Sequence, residues 1–125
     1  MPKLLIDTDV FTDYLLGEMR SQDFFEQLPE GTFYYSPITK LELLSSDICA
    51  DGTVKSATAS ILSLGKQVEL DDALVSFASD IKRQHGLSVR DAILVATALR
   101  LKAELVTKNV NELKKIKELL LMKPY

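Results

Sequence analysis

A chain of 125 residues, 46% hydrophobic and 26% charged, has the size and composition of one globular domain spanning residues 1–125. Its single cysteine, Cys49, forms no internal disulfide, and one cysteine with one histidine, His85, makes a poor zinc site and excludes a two-histidine ribonuclease mechanism. A net charge of −3 argues against a general nucleic-acid binder, no apolar run is long enough to span a membrane, and the opening run is too short for a signal peptide; a reducing, cytoplasmic setting is expected.

Residues 3–7, KLLID, read as a short buried strand ending on a carboxylate, followed by an amphipathic helix over about 9–17 that stops at Gly17. SQDFFEQLP reads as a second helix, capped by Ser21 and stopped by Pro29. TFYYS is rich in β-formers and predicts a strand. Ser36-Pro37 then opens a helix through LELLSS, with Ser at the cap and Pro in the first turn. A helix over 51–65 closes at Gly65, QVEL reads as a short strand, and Asp71 caps a helix running to His85-Gly86. Cys49 falls in a helical apolar stretch, as a buried free thiol.

Ser88 opens VRDAILVATALRLK, a helix apolar nearly all round after Asp91 and therefore expected at the centre of the fold. ELVT reads as a strand, NVNELKKIKE as a last helix and LLLM as a final strand. Strands alternating with helices imply an α/β sandwich around a mainly parallel sheet.

Sites in such sheets form beyond the carboxyl ends of the strands. Asp7 ends the first strand; Thr107 ends the ELVT strand, with Asn109 just after it. Glu42 and Asp91 stand near the starts of helices packed on the sheet. Ionised carboxylates beside an apolar core are costly, and three that converge repel one another, so a bound cation would resolve both penalties. An oxygen-only set points to Mg²⁺ or Mn²⁺. Such a cation polarises a phosphoryl oxygen and activates water for in-line attack, without a covalent intermediate. Each residue also has a plainer reading. Ser88-x-x-Asp91 resembles a capping box, Asp7 and Asp9 suit a turn and cap, and Glu42 suits an exposed helix face. His85 suits a helix carboxyl terminus, and Phe11, Phe24 and Phe25 suit core or edge packing.

From Arg100 onward seven basic residues accompany three acids, a distribution that suits a solvated helix face as well as a nucleic-acid patch. Lys40, Arg90, Lys108 and Lys114 lie close in sequence to the proposed site residues and are the expected phosphate contacts.

Four segments together resemble the PIN-domain family. LLIDTDVFTDYL resembles its opening strand and helix, SPITKLELL the segment supplying its glutamate, GLSVRDAILVATAL its D-A-x-I-A-A-T-A-L helix, and ELVTKNVNEL its stretch near the carboxyl terminus. They occur in family order along nearly the whole chain. The resemblance implies a PIN-like three-layer sandwich and Mg²⁺- or Mn²⁺-dependent cleavage of RNA. By position, Asp7, Asp91 and Glu42 would hold the metal, and Thr107 would orient the cluster. Asp9 stands where the family more often has Asn, and Asn109 where a fourth acid is common; Glu112 or Asp9 would compensate. Chain length resembles toxins of VapBC toxin–antitoxin pairs. That implies a homodimer and a small VapB-like antitoxin lying along Phe11, Tyr14, Leu15, Phe24 and Phe25. Two rivals are a haloacid-dehalogenase-like phosphatase, suggested by Asp7-Thr8-Asp9, and a PIN-like module that binds RNA or protein without cutting, suggested by Asn109.

Overall fold

The computed structural model describes residues 3–29 and 31–125, so Met1 and Pro2 of the N-terminal run read above lie outside the described residues. β1 (Leu4–Ile6), β2 (Phe33–Tyr35), β3 (Lys66–Gln67), β4 (Glu104–Val106) and β5 (Leu120–Met122) form one parallel sheet in the order β3-β2-β1-β4-β5. The chain steps outward from β1 through β2 to β3, then crosses back to lay β4 on the other side of β1. The connections around β1 and β4 therefore diverge, opening a crevice beyond their carboxyl ends. Ile6 pairs with Val106, which brings the next residues, Asp7 and Thr107, side by side at that crevice.

Helices cover both faces, which is why the central strand β1, LLI, is apolar and buried on both sides rather than alternating. α1 (Thr8–Leu15), α2 (Met19–Glu26), α3 (Pro37–Ser45) and α4 (Gly52–Ser63) pack on one face. There Leu4, Ile6, Phe33, Tyr35 and Val106 of the sheet meet Val10, Phe11, Phe25, Leu43, Ile61 and Leu62. α5 (Asp72–His85) and α6 (Val89–Leu101) pack on the other, where Leu5 and Leu105 meet Leu74, Ala78, Ile81 and the α6 run from Ala92. Every residue of α6 from Ala92 to Ala98 is buried, as its all-round apolar sequence requires. The three-layer sandwich with a parallel sheet is the architecture expected from the sequence.

Most helix starts lie where their caps predict. The side chains of Ser36, Asp51, Asp71 and Ser88 accept hydrogen bonds from the backbone amides of Ile38, Thr53, Leu74 and Asp91, and Gly86 ends α5 in the left-handed region at φ 64°.

Four local expectations differ. α2 begins at Met19 with Glu18 as its cap; Ser21 lies inside it, fully buried, its hydroxyl donating to the Val10 carbonyl at 2.7 Å and tying α2 to α1. The strand read at QVEL is instead Lys66–Gln67, because Val68 and Leu70 pack toward the α5–α6 face as the chain turns to the Asp71 cap. The last helix shrinks to α7, Val110–Leu113. From its last residue onward the buried Leu113, Ile116 and Leu119 recur every third residue through successive turns, a spacing that suits a winding connection leading β5 to the side of β4. Cys49 is a buried free thiol as expected, but in a 3₁₀ turn over Asp47–Ala50.

Among the described residues, no helix is long and apolar enough to cross a membrane.

Candidate active site

Asp7 is placed by the sheet itself. Its amide donates to the Val106 carbonyl at 2.9 Å, continuing the β1–β4 ladder by one residue. Its carboxylate caps α1, with Oδ1 accepting from the Thr8 amide at 2.7 Å. Oδ2 accepts from the Thr107 hydroxyl at 2.8 Å. Thr107 is wholly buried, and its Oγ1 in turn accepts from the Asn109 amide at 3.0 Å. An ionised aspartate that is only 2% exposed is tolerated here because both oxygens have donors and a cation stands beside it.

That cation is Arg90, in the first turn of α6. Its Nη2 donates to Asp7 Oδ1, its Nε to Glu42 Oε2 at 2.7 Å, and its Nη1 to Asp91 Oδ1 at 3.0 Å. Glu42, one turn into α3 rather than at its start, also accepts from the Thr8 hydroxyl at 2.6 Å through Oε1. The Thr8 hydroxyl in turn accepts from that of Thr39 at 3.0 Å, since its one proton goes to Glu42, so α1 and α3 are joined by hydroxyls beside the carboxylates. Three acids from three separate elements thus converge on one guanidinium at the β1–β4 crevice. Burial alone would lower the Arg90 pKa, but the hydrogen bond to Glu42 and the Asp7 charge outweigh it and hold the pKa above its ordinary value.

The other expected site residues lie around this centre. Asp9, on the open side of α1, has its pKa raised by desolvation first and by the Asp7 charge second, with Arg90 and Lys108 opposing. Asn109 and Glu112 pair with each other at 3.2 Å (Nδ2 to Oε2) and make no hydrogen bond to the three carboxylates. Lys108 is bound to Asp13 at 2.8 Å, while Lys40 and Lys114 are exposed and, among the described residues, form no ion pair. Arg90 was legible as a basic neighbour of Asp91; nothing local in the sequence marks it as the hub of the acids.

Carboxylate and hydroxyl oxygens alone are the donor chemistry of Mg²⁺ or Mn²⁺, and the guanidinium is a monovalent stand-in at the point the acids share. As positioned around Arg90, no three acidic, histidine or cysteine side chains among the described residues stand close enough together to hold one ion. The donor types fit a divalent cation; the spacing fits a guanidinium.

The sequence profile described as PIN domain matches residues 4–119. The chain belongs to the PIN-domain family. No curated protein matches it in sequence. The PIN fold is shared with several solved structures. A toxin–antitoxin complex from Klebsiella pneumoniae superposes with a TM-score of 0.84 at 23% identity, covering 98% of each chain. A DNA-bound VapBC from Salmonella typhimurium gives 0.83 at 16% identity over 100% of each. VapBC2 from Rickettsia felis, bound to a DNA fragment from the promoter, gives 0.79 at 19% identity over 95% of this chain and 96% of that one. At these identities the likeness is one of fold. Membership in the PIN family leaves the phosphatase rival without support.

The expected antitoxin groove is corrected by burial. Phe11 is wholly buried and Phe25 nearly so, their tilted rings 5.1 Å apart between centroids and each within 6 Å of Phe33. They are core. Tyr14, Leu15 and Phe24 remain half-buried, and Leu16 and Met19 are exposed at the α1–α2 corner.

Proposed function

We propose that this PIN domain is a Mg²⁺- or Mn²⁺-dependent endoribonuclease and the toxin of a type II toxin–antitoxin pair. The observation that carries the reading is the convergence of Asp7, Glu42 and Asp91 on a single cationic point at the sheet's switch point. When bound there, a divalent cation would polarise a phosphoryl oxygen and promote attack by water. Asp7, Asp91 and Glu42 would hold it. Thr107 keeps Asp7 aimed by donating to Oδ2, the oxygen that Arg90 does not take. Asp9, Asn109 and Glu112 border the site, where Asp9 adds negative charge and the Asn109–Glu112 pair supplies polar groups to an incoming strand. Of the four expected phosphate contacts, Lys40 and Lys114 are exposed and, among the described residues, form no ion pair, so they are available to RNA phosphates, giving affinity rather than base choice. The exposed Leu16 and Met19, with Tyr14, Leu15 and Phe24, offer an apolar strip to a VapB-like antitoxin, and a homodimer is the expected assembly.

The test is cleavage of a panel of structured and single-stranded RNAs by purified, antitoxin-free protein in Mg²⁺ or Mn²⁺. Cleavage should stop with EDTA, weaken as monovalent salt rises, and be lost in Asp7→Asn and Asp91→Asn. Activity that survives EDTA undiminished would refute the metal-dependent reading. A second reading, a non-cutting RNA- or protein-binding module, is favoured by one observation: the position of a fourth acid is the neutral Asn109, already paired with Glu112. Metal binding without cleavage of any RNA would select it.

A further inference from the structure

The guanidinium of Arg90 uses three nitrogens on three carboxylates, one each from Asp7, Glu42 and Asp91. The remaining oxygens are largely committed: Asp7 Oδ2 to Thr107 and Glu42 Oε1 to Thr8. A divalent cation ligated by these acids at about 2.0–2.1 Å would compete for Asp7 Oδ1 and Glu42 Oε2, which Arg90 now holds, and would repel the guanidinium beside it. The acids are also spaced for the wider guanidinium, and no three of them stand close enough for one ion. Yet Arg90 has a way out. It lies in the first turn of α6 next to the exposed Val89, and about a third of its side chain already faces solvent.

We propose that Arg90 is an internal counter-ion that competes with the divalent metal for Asp7, Glu42 and Asp91. In the metal-free chain it holds the three acids together and closes the site; metal loading requires it to swing into solvent and lets the acids draw inward. This rests on the metal reading of the site given above. Its consequence is that apparent metal affinity is lowered by the fraction of molecules with Arg90 displaced, as for any ligand that selects a minor state. Arg90 is therefore a positioning residue that sets the metal concentration at which the site switches on.

The experiment reads metal binding, not cleavage. Free Mn²⁺ is counted by electron paramagnetic resonance against the parent, Arg90→Gln and Arg90→Lys proteins, alongside thermal unfolding with and without the ion. The expected result is Mn²⁺ binding about tenfold or more tighter in Arg90→Gln, since a competing state of about 90–99% population costs that much affinity. Arg90→Lys should fall between. Metal-free Arg90→Gln should melt below the metal-free parent, and Mn²⁺ should close that gap. Equal or weaker Mn²⁺ binding in Arg90→Gln overturns the proposal while leaving the metal reading intact. In the parent, which needs no variant to fold, the Arg90 Nε–H resonance should move to the position of a free arginine on saturation with Mg²⁺. Movement of the Asp7 and Asp91 amides with Arg90 unmoved overturns this inference alone; no movement anywhere, with no Mn²⁺ bound by any of the three proteins, overturns the metal reading with it.

Discussion

Replacing Thr107 by Val removes one hydroxyl while keeping shape and volume, and so isolates what that hydroxyl does. It donates to the ionised Asp7 Oδ2 at 2.8 Å and accepts from the Asn109 amide at 3.0 Å, at a position with no solvent access. A hydrogen bond to a charged group contributes about 1.5–3 kcal/mol and a neutral one about 0.5–1.5 kcal/mol. Asn109 is only half-buried, so its amide recovers part of its loss from water. The expected cost is about 2–4 kcal/mol, which for a domain of this length lowers the melting temperature by roughly 6–15 °C. Thr107→Ser keeps the hydroxyl and loses one methyl, costing about 1 kcal/mol. Scanning calorimetry of the metal-free proteins measures both, and the Mn²⁺-induced rise in melting temperature should shrink in Thr107→Val, since Asp7 is no longer held in aim. A Thr107→Val protein melting within about 2 °C of the parent, or a Thr107→Ser protein as impaired as Thr107→Val, would refute the reasoning.

Three further outcomes are expected. Asp9 has a raised pKa, so its contribution to stability is fully present below about pH 4 and is lost as pH rises through its folded value; metal-free Asp9→Asn should melt above the parent at pH 7 and show no advantage near pH 3.5. Gly65→Ala should destabilise by about 1–3 kcal/mol in urea unfolding, because an added Cβ would stand 2.6 and 2.8 Å from Cδ1 and Cζ of the buried Phe33 ring. Tyr125 donates to Asp13 and lies over Arg20, and desolvation followed by the Asp13 bond pushes its pKa up to about 12. Its contribution is complete below about pH 10 and is lost as pH rises toward the folded value, so the stability gap between the parent and Tyr125→Phe should narrow between about pH 10 and 12 in chemical denaturation.

Much of this fold is written locally. Ser36-Pro37, Asp51, Asp71 and Ser88 start their helices because each side chain reaches an amide two or three residues on, and Gly86 ends α5 because a left-handed residue is needed there. The unbroken apolar run of α6 and the carboxylate closing β1 are equally visible, and they suffice for the layer order and for Asp7 as the first member of the site. The sequence misleads where a longer-range contact outweighs a local preference. Ser21 looks like a cap but is drawn under α1 by the Val10 carbonyl, and the basic stretch after Val110 looks helical until Leu113, Ile116 and Leu119 are pulled into the core. Phe11 and Phe25 suit core or edge packing by sequence and a partner groove by family resemblance; their enclosure with Phe33 and Tyr35 decides for core. Arg90 is the clearest case. Its partners Asp7 and Glu42 lie 83 and 48 residues away, so its bonds to them depend on the Ile6–Val106 register, on α3 presenting Glu42 over Thr8, and on α6 packing across the opposite face. Caps and periodicity act over a few residues and are legible in order along the chain. A charge cluster gathered from three elements exists only once the sheet has paired and both helical layers have closed upon it.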